Sequence, residues 1–267
     1  MNVVKEDVEK DKSDLNSGVA GAIRSTLRSM FPGLTINRPI FRPPRVPIKD
    51  RAAVMHGVVE AAQDPPRTTA TKEQSFFRRQ VTQALSLLRS SVLGFLTWTT
   101  YDIASQVLSG RQEVSSVGSK MAISIAAGGT AGAIHGYLWG RSETFFSRYS
   151  SRYLACHAHG VMISHGCSHT AMFASYEGVK TYLIYDEQWD APMSIVVAGA
   201  ISGVVVDIVA HFAAPFEHYP MKVALKQLQH VKMPSVSEIS KSAGATLLGW
   251  IAYESAKEQL EMEGRQF

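Results

Sequence analysis

The stretch AGGTAGAIHGYLWG, residues 127–140, sets a glycine at positions 128, 132, 136 and 140 of an uncharged run. In water each helix-interior glycine costs about 0.5–1 kcal/mol relative to alanine, so four would cost about 2–4 kcal/mol. In lipid the spacing has a use, because helices there associate by close backbone contact through small residues. Positions four apart lie on one helix stripe that drifts about 40° per step, so the ladder makes a groove along a whole span. The theme returns as Gly199 and Gly203, as Ala174 and Gly178, and as Ala245 and Gly249. Gly128, Gly132, Gly136, Gly140, Gly199, Gly203 and Gly249 are the expected helix-packing positions. A soluble dinucleotide-binding fold is the competing reading, but no GxGxxG follows a strand-like run.

Four stretches share this character. Residues 121–140 and 153–176 carry no Asp, Glu, Lys or Arg; 191–216 is interrupted only by Asp207; 239–257 has a charge-free centre, Ser242–Tyr253. The loop after the first stretch holds Arg141, Arg148 and Arg152, and the loop after the third holds Lys222, Lys226, Lys232 and Lys241. The loop between the second and third is acidic, with Asp186, Glu187 and Asp190. Alternation of this kind puts the two basic loops on the matrix or cytoplasmic side and both ends of the bundle opposite. Anionic lipid is an expected partner at the basic loops.

The first half of the chain is different. Residues 1–119 hold 16 Lys+Arg against 11 Asp+Glu, whereas residues 120–267 hold 11 against 12. Seven of the eleven prolines fall before residue 67, and PGLTINRPIFRPPRVPIK (32–49) reads as an extended basic arm. The opening MNVVKEDVEKDKSDL is mixed in sign, unlike a secretory signal, while AGAIRSTLRSMF (20–31) has the Arg/Ser-rich, acid-free look of a targeting helix. A modest helix is expected at 15–31, a short one at 50–62 and a long one at 72–108. The long one carries Val81, Leu85, Leu88, Val92, Leu96, Ile103 and Val107 at near-helical period. Only twelve residues between Arg89 and Asp102 lack charge, so this helix is read as amphipathic, lying at an interface or packed on a partner. The organisation is thus a polar, Pro-rich N-terminal extension (1–71), an amphipathic helix (72–110) and a membrane domain (120–257). The fold class is all-α, an integral membrane four-helix Gly-rich bundle. Basic residues are not interleaved with aromatics, so nucleic acid is not an expected partner.

With these residues in view, the second half resembles the mitochondrial inner-membrane translocase (Tim) channel-type family, which includes a four-helix accessory subunit of respiratory complex I. The likeness rests on the glycine ladder, on FASYEGVK (173–180), on DAPMSIVVAGAISG (190–203) and on ATLLGWI (245–251). It implies a multi-pass protein of the mitochondrial inner membrane, with other subunits of a multiprotein complex as partners. Of the membrane acids that line the translocases' cavity, Glu177 matches one, whereas Ala252 stands at the fourth-helix position with Glu254 two residues on. The expected function is therefore a non-catalytic structural accessory subunit of a respiratory chain complex. A component of the protein-import translocase is the first alternative.

The second alternative comes from TWTTYDIAS (97–105), FASYEGVK and GWIAYESAK (249–257). Their Tyr-acid pairs resemble the even-helix ends of mitochondrial solute carriers, where such pairs form a gate. APFEHYPMK (214–222) is similar to the odd-helix signature of that family, with Pro220 at the basic position and no counterpart in RSETFF (141–146). This reading gives a degenerate carrier-like protein.

The remaining chemistry is sparse. Cys156, His157, His159, His165, Cys167 and His169 cluster early in the second stretch. His165 and His169 lie one turn apart, a spacing that can hold a metal or haem iron, but no carboxylate supports them locally and histidine also bonds across helices in lipid. His165, His169, Glu177 and Asp207 are taken as intramembrane polar residues, Asp207 with His135 or His211 as its nearest candidate partners. No metal, no cofactor and no enzyme activity is expected, since no nucleophile triad or phosphate loop is legible.

Overall fold

The computed structural model describes residues 16–26, 72–110, 116–146 and 151–265. The opening residues, the Pro-rich arm and the expected helix at 50–62 lie outside the described residues, as do the side chains of Val81, Cys156 and His157. All regular structure among the described residues is helical. The elements are α1 (16–26), α2 (Lys72–Ser109), α3 (Val117–Phe146), α4 (Ser151–Tyr185), α5 (Ala191–His218), the short α6 (Met221–Leu228) and α7 (Val236–Arg265). The four stretches read from charge and glycine spacing form α3, α4, α5 and α7, each longer than its uncharged core.

Local signals set the ends. α2 stops at Gly110, whose φ of +62° suits glycine and whose N–H donates to the Gln106 carbonyl at 3.1 Å. The acidic loop turns through Gln188 (φ 55°), and Asp190 then caps α5 by accepting from the Met193 N–H at 3.4 Å, with Pro192 in the first turn. Pro215 sits in the last turn of α5, and Pro220 separates it from α6. α7 opens with a reciprocal capping box. The Ser235 N–H donates to Glu238 Oε2 at 2.9 Å, and the Glu238 N–H donates to Ser235 Oγ at 3.3 Å.

Six of the seven helices among the described residues close into a ring. α2 packs on α3, α3 on α4, α4 on α5 and α5 on α7. α1 completes the circuit. Its Gly18 and Gly21 lie against Thr99, Phe95 and Trp98 of α2, and the Tyr253 hydroxyl of α7 donates to Ser17 Oγ at 3.3 Å. The bundle was expected to have four helices, with residues 1–110 apart from it. Here α1 and α2 share its core, in which Ala20, Trp98 and Tyr101 pack with Phe173, Tyr176, Trp250 and Tyr253. The sequence left α2 outside because only twelve residues between Arg89 and Asp102 lack charge, too few for a span. Its apolar stripe points outward: Leu85, Leu88, Val92, Leu96, Ile103 and Val107 are all exposed, Val107 by 72%.

The whole molecule shares this inversion. No isoleucine is buried among the described residues, while Ser17, Arg24, Thr97, Ser164, His165, Ser202, Asp207 and Thr246 are. In water-soluble proteins isoleucine is among the residues most often fully buried. Among the described residues one helix, Ala191–Glu217, is long and apolar enough to cross a membrane, with mean hydropathy 2.2, and most of its apolar stretch is not buried in the protein.

Candidate functional site

The interior of the ring is the place where side chains from non-adjacent helices meet. α3 and α4 approach through the glycine ladder. A Cβ at Gly132 would sit 2.5 Å from the His165 carbonyl oxygen, one at Gly136 2.8 Å from that of Val161, and one at Gly128 3.1 Å from that of His169. At Gly140, which is buried, a Cβ would meet nothing within 4 Å among the described residues. Gly203 lies against Ala243, Gly199 against Leu247 and Trp250, and Gly249 against Arg24. Gly128, Gly132, Gly136, Gly199, Gly203 and Gly249 thus all lie at helix contacts, Gly249 at the α1–α7 contact that closes the ring.

These close approaches bring three helices, α2, α4 and α7, to bear on a common centre. Each presents an aromatic residue, then a tyrosine three residues on, then an acid: Trp98, Tyr101 and Asp102; Phe173, Tyr176 and Glu177; Trp250, Tyr253 and Glu254. The leading aromatics form a triangle, with centroids 4.8 Å apart for Trp98–Phe173, 5.0 Å for Trp98–Trp250 and 6.2 Å for Phe173–Trp250. Each tyrosine stacks on the leading aromatic of another helix in cyclic order. Tyr101 lies on Phe173 at 3.7 Å, Tyr176 on Trp250 at 3.4 Å and Tyr253 on Trp98 at 3.9 Å. This is a three-fold plug across the ring. Beside it, Arg24 of α1 touches all three helices: its guanidinium lies 5.0 Å from the Trp98 ring and 4.1 Å from that of Trp250, and Nη2 is 3.2 Å from Met172 Sδ.

Towards one end the plug is tied by charge. Tyr176 Oη and Lys180 Nζ both donate to Glu254 Oε1 at 2.5 Å, joining α4 to α7 across the ring. Glu177 is half-buried beside this group. The base four residues after each tyrosine is Lys180 on α4 and Lys257 on α7, but on α2 that position is Ser105.

Towards the other end lie the histidines. His135 Nδ1 is 2.7 Å from Thr97 Oγ1, and its ring is 5.0 Å from His165 and 4.8 Å from His169. Ser164 Oγ donates to Glu217 Oε1 at 2.8 Å, and His165 Nε2 is 3.8 Å from the same oxygen. The carboxylate that the sequence did not place near the histidines therefore comes from α5. Among the described residues no three His, Cys, Asp or Glu side chains are arranged to hold a metal ion. Asp207 is buried on α5, and His211 Nε2 lies 2.7 Å from the Lys232 carbonyl oxygen.

The Tyr-acid pairs were legible in the sequence, but the leading aromatics and Arg24 were not singled out. Spacing was the available signal: the three tyrosines are 75 and 77 residues apart, and each has an aromatic three residues before it. Self-similarity at a near-constant period is the mark of repeated architecture. No family model, curated protein or solved structure matches this chain.

Proposed function

We propose that this chain is a multi-pass protein of the mitochondrial inner membrane and that it serves a respiratory or related assembly there as a non-catalytic structural subunit. The observation that carries the reading is the aromatic plug. Three stacked pairs, each contributing about 0.5–1.5 kcal/mol beyond its buried area, hold α2, α4 and α7 together across the centre of the ring. A solute would have to part all three.

The inverted surface supports placement in lipid. An exposed Leu/Ile/Val band around a Ser-, Gly- and Ala-rich interior is costly in water and neutral in hydrocarbon. α6 fits the boundary of such a membrane, since it exposes Met221, Val223 and Leu225 along with Lys222 and Lys226. The mitochondrial placement rests on the sequence resemblances. Three helix pairs (α1 with α2, α3 with α4, α5 with α7) bearing three Tyr-acid pairs are closer in plan to the solute carriers than to a four-helix Tim bundle. Ser105, at the position where α4 and α7 carry Lys180 and Lys257, favours a carrier-like frame used as a scaffold.

Solute exchange is the second reading. It is favoured by the Lys180–Glu254–Tyr176 group, which ties one end of the ring in the manner of a latch. Two measurements separate the readings. A scaffold co-migrates with a larger inner-membrane complex on a native gel and moves no solute in liposomes. A protein that migrates alone and exchanges labelled solute across liposomes overturns the scaffold reading.

A further inference from the structure

We propose that His135, His165 and His169, with Glu217, form a buried binding site for a single proton. Two of the ladder glycines make room for it. Gly132 lies against the His169 Cβ and Gly136 against the His165 Cβ, so both imidazoles pass across α3 and reach His135. The three rings lie 4.8 to 6.1 Å apart and are mutually tilted by 33° to 40°. His169 Nδ1 donates to the His165 carbonyl at 2.9 Å, because a carbonyl oxygen only accepts. His135 Nδ1 is engaged with Thr97 Oγ1 at 2.7 Å. These bonds engage Nδ1 of His135 and of His169, while His165 Nε2 faces Glu217 at 3.8 Å, and among the described residues no three such groups are arranged to hold a metal ion.

Each packed element contributes its charged groups. α2 supplies Arg89, whose guanidinium lies 3.7 Å from the Trp139 ring and donates to the Trp139 carbonyl at 3.2 Å. α3 supplies His135 and also Trp139, whose ring is 6.1 Å from His165. α5 supplies Glu217; Asp207, its other buried acid, is ten residues away, ~15 Å along the helix axis. Glu217 faces His165, so the proton taken from water settles on that imidazole and forms an imidazolium–carboxylate pair between α4 and α5. A second imidazolium within 5 to 6 Å would be disfavoured on the order of a hundredfold at an effective dielectric of about 20. Uptake therefore stops at one proton.

The test is a titration of the full chain in nanodiscs, with 15N-labelled histidine followed by NMR from about pH 8.5 to pH 5. His230, exposed in the connection between α6 and α7, gives a separate signal outside the cluster. One cluster imidazole should gain a proton while the other two stay neutral, and that signal should vanish in His165→Gln. Glu217→Gln keeps an oxygen for the Ser164 hydroxyl and removes the charge that faces His165. It should weaken proton affinity roughly tenfold, the equivalent of one pKa unit. Three independent titrations, no titration in the range, or an unchanged midpoint in Glu217→Gln would each overturn the proposal. The wild-type titration decides the question even if a variant fails to fold. Stoichiometric Zn2+ binding that is lost in His165→Gln would replace the proton site with a metal site.

Discussion

At the scale of single residues the interior has two kinds of contact, and they should fail differently. Gly132 lies where backbone meets backbone, with the His165 carbonyl 2.5 Å from any added Cβ. Leucine there must push α3 and α4 apart, and overpacking of this kind costs about 1–3 kcal/mol or more. Gly118→Leu, at an exposed position of the same helix where a Cβ meets nothing within 4 Å, should fall within about 0.5 kcal/mol of wild type. Thermal unfolding of the two variants in the same detergent checks the pair; equal midpoints would remove the ladder as a packing device. Trp250 fails by loss, not by crowding. It stacks on Tyr176, meets Trp98 edge-on, lies under Arg24 and donates to Ser202 Oγ at 2.8 Å. Trp250→Ala should cost about 3–5 kcal/mol, read as a large drop in unfolding midpoint, while Trp189→Ala, in the exposed acidic loop, should cost little.

At the scale of elements, the sequence marked the helices well and their roles less well. The limits of α5 could be read from Asp190, Pro192 and Pro220, and those of α7 from Ser235 and Glu238, because caps are local chemistry. The role of α2 could not. Its period-3.6 apolar stripe is the same whether it faces a core or a bilayer, and only the partners of the opposite face decide. That face carries Thr97, bonded to His135, and Tyr101, bonded to Ser124 at 2.9 Å, contacts 38 and 23 residues away in sequence. α1 was hidden for a similar reason, since its closure of the ring depends on Arg24 and Ser17 meeting residues more than 200 positions distant. Glu238 gives a test at this scale. Hydrogen bonds from the Ser235 hydroxyl and then its N–H hold the Glu238 carboxyl below its ordinary value of 4.5. A lowered folded value means the contribution is complete above the ordinary range and is lost as pH falls through the lowered one. Amide exchange, corrected for its intrinsic pH dependence, should show the first turn of α7 losing protection in acid, and Glu238→Gln should abolish that change. Acid-insensitive protection in the wild type would mean the box does not hold this end.

At the scale of the whole molecule, the three-fold plug and the inverted surface are two aspects of one solution. A ring of helices in lipid has no hydrophobic force to draw it shut, so its cohesion must come from contacts inside: glycine ladders at the seams and stacked aromatics at the centre. The glycine ladder could be read from sequence because it is periodic within one helix. The plug could be read only in part, since its repeat is spread over 75 and 77 residues and Phe173 stands where the other two helices have tryptophan. The outward band provides the last test. Ile201 lies near the middle of the Ala191–Glu217 span and is 40% exposed. If the band faces hydrocarbon, Ile201→Arg places a charge near the bilayer centre, at about 2.5–3.5 kcal/mol on insertion scales. It should lower the carbonate-resistant membrane fraction and the stability in nanodiscs. If the band faces water, the same change is an ordinary surface substitution within about 0.5 kcal/mol, and it should raise solubility without detergent. The two outcomes have opposite signs. A detergent-free, monomeric Ile201→Arg protein with an unchanged unfolding midpoint would therefore refute the membrane reading and, with it, the scaffold role built on it.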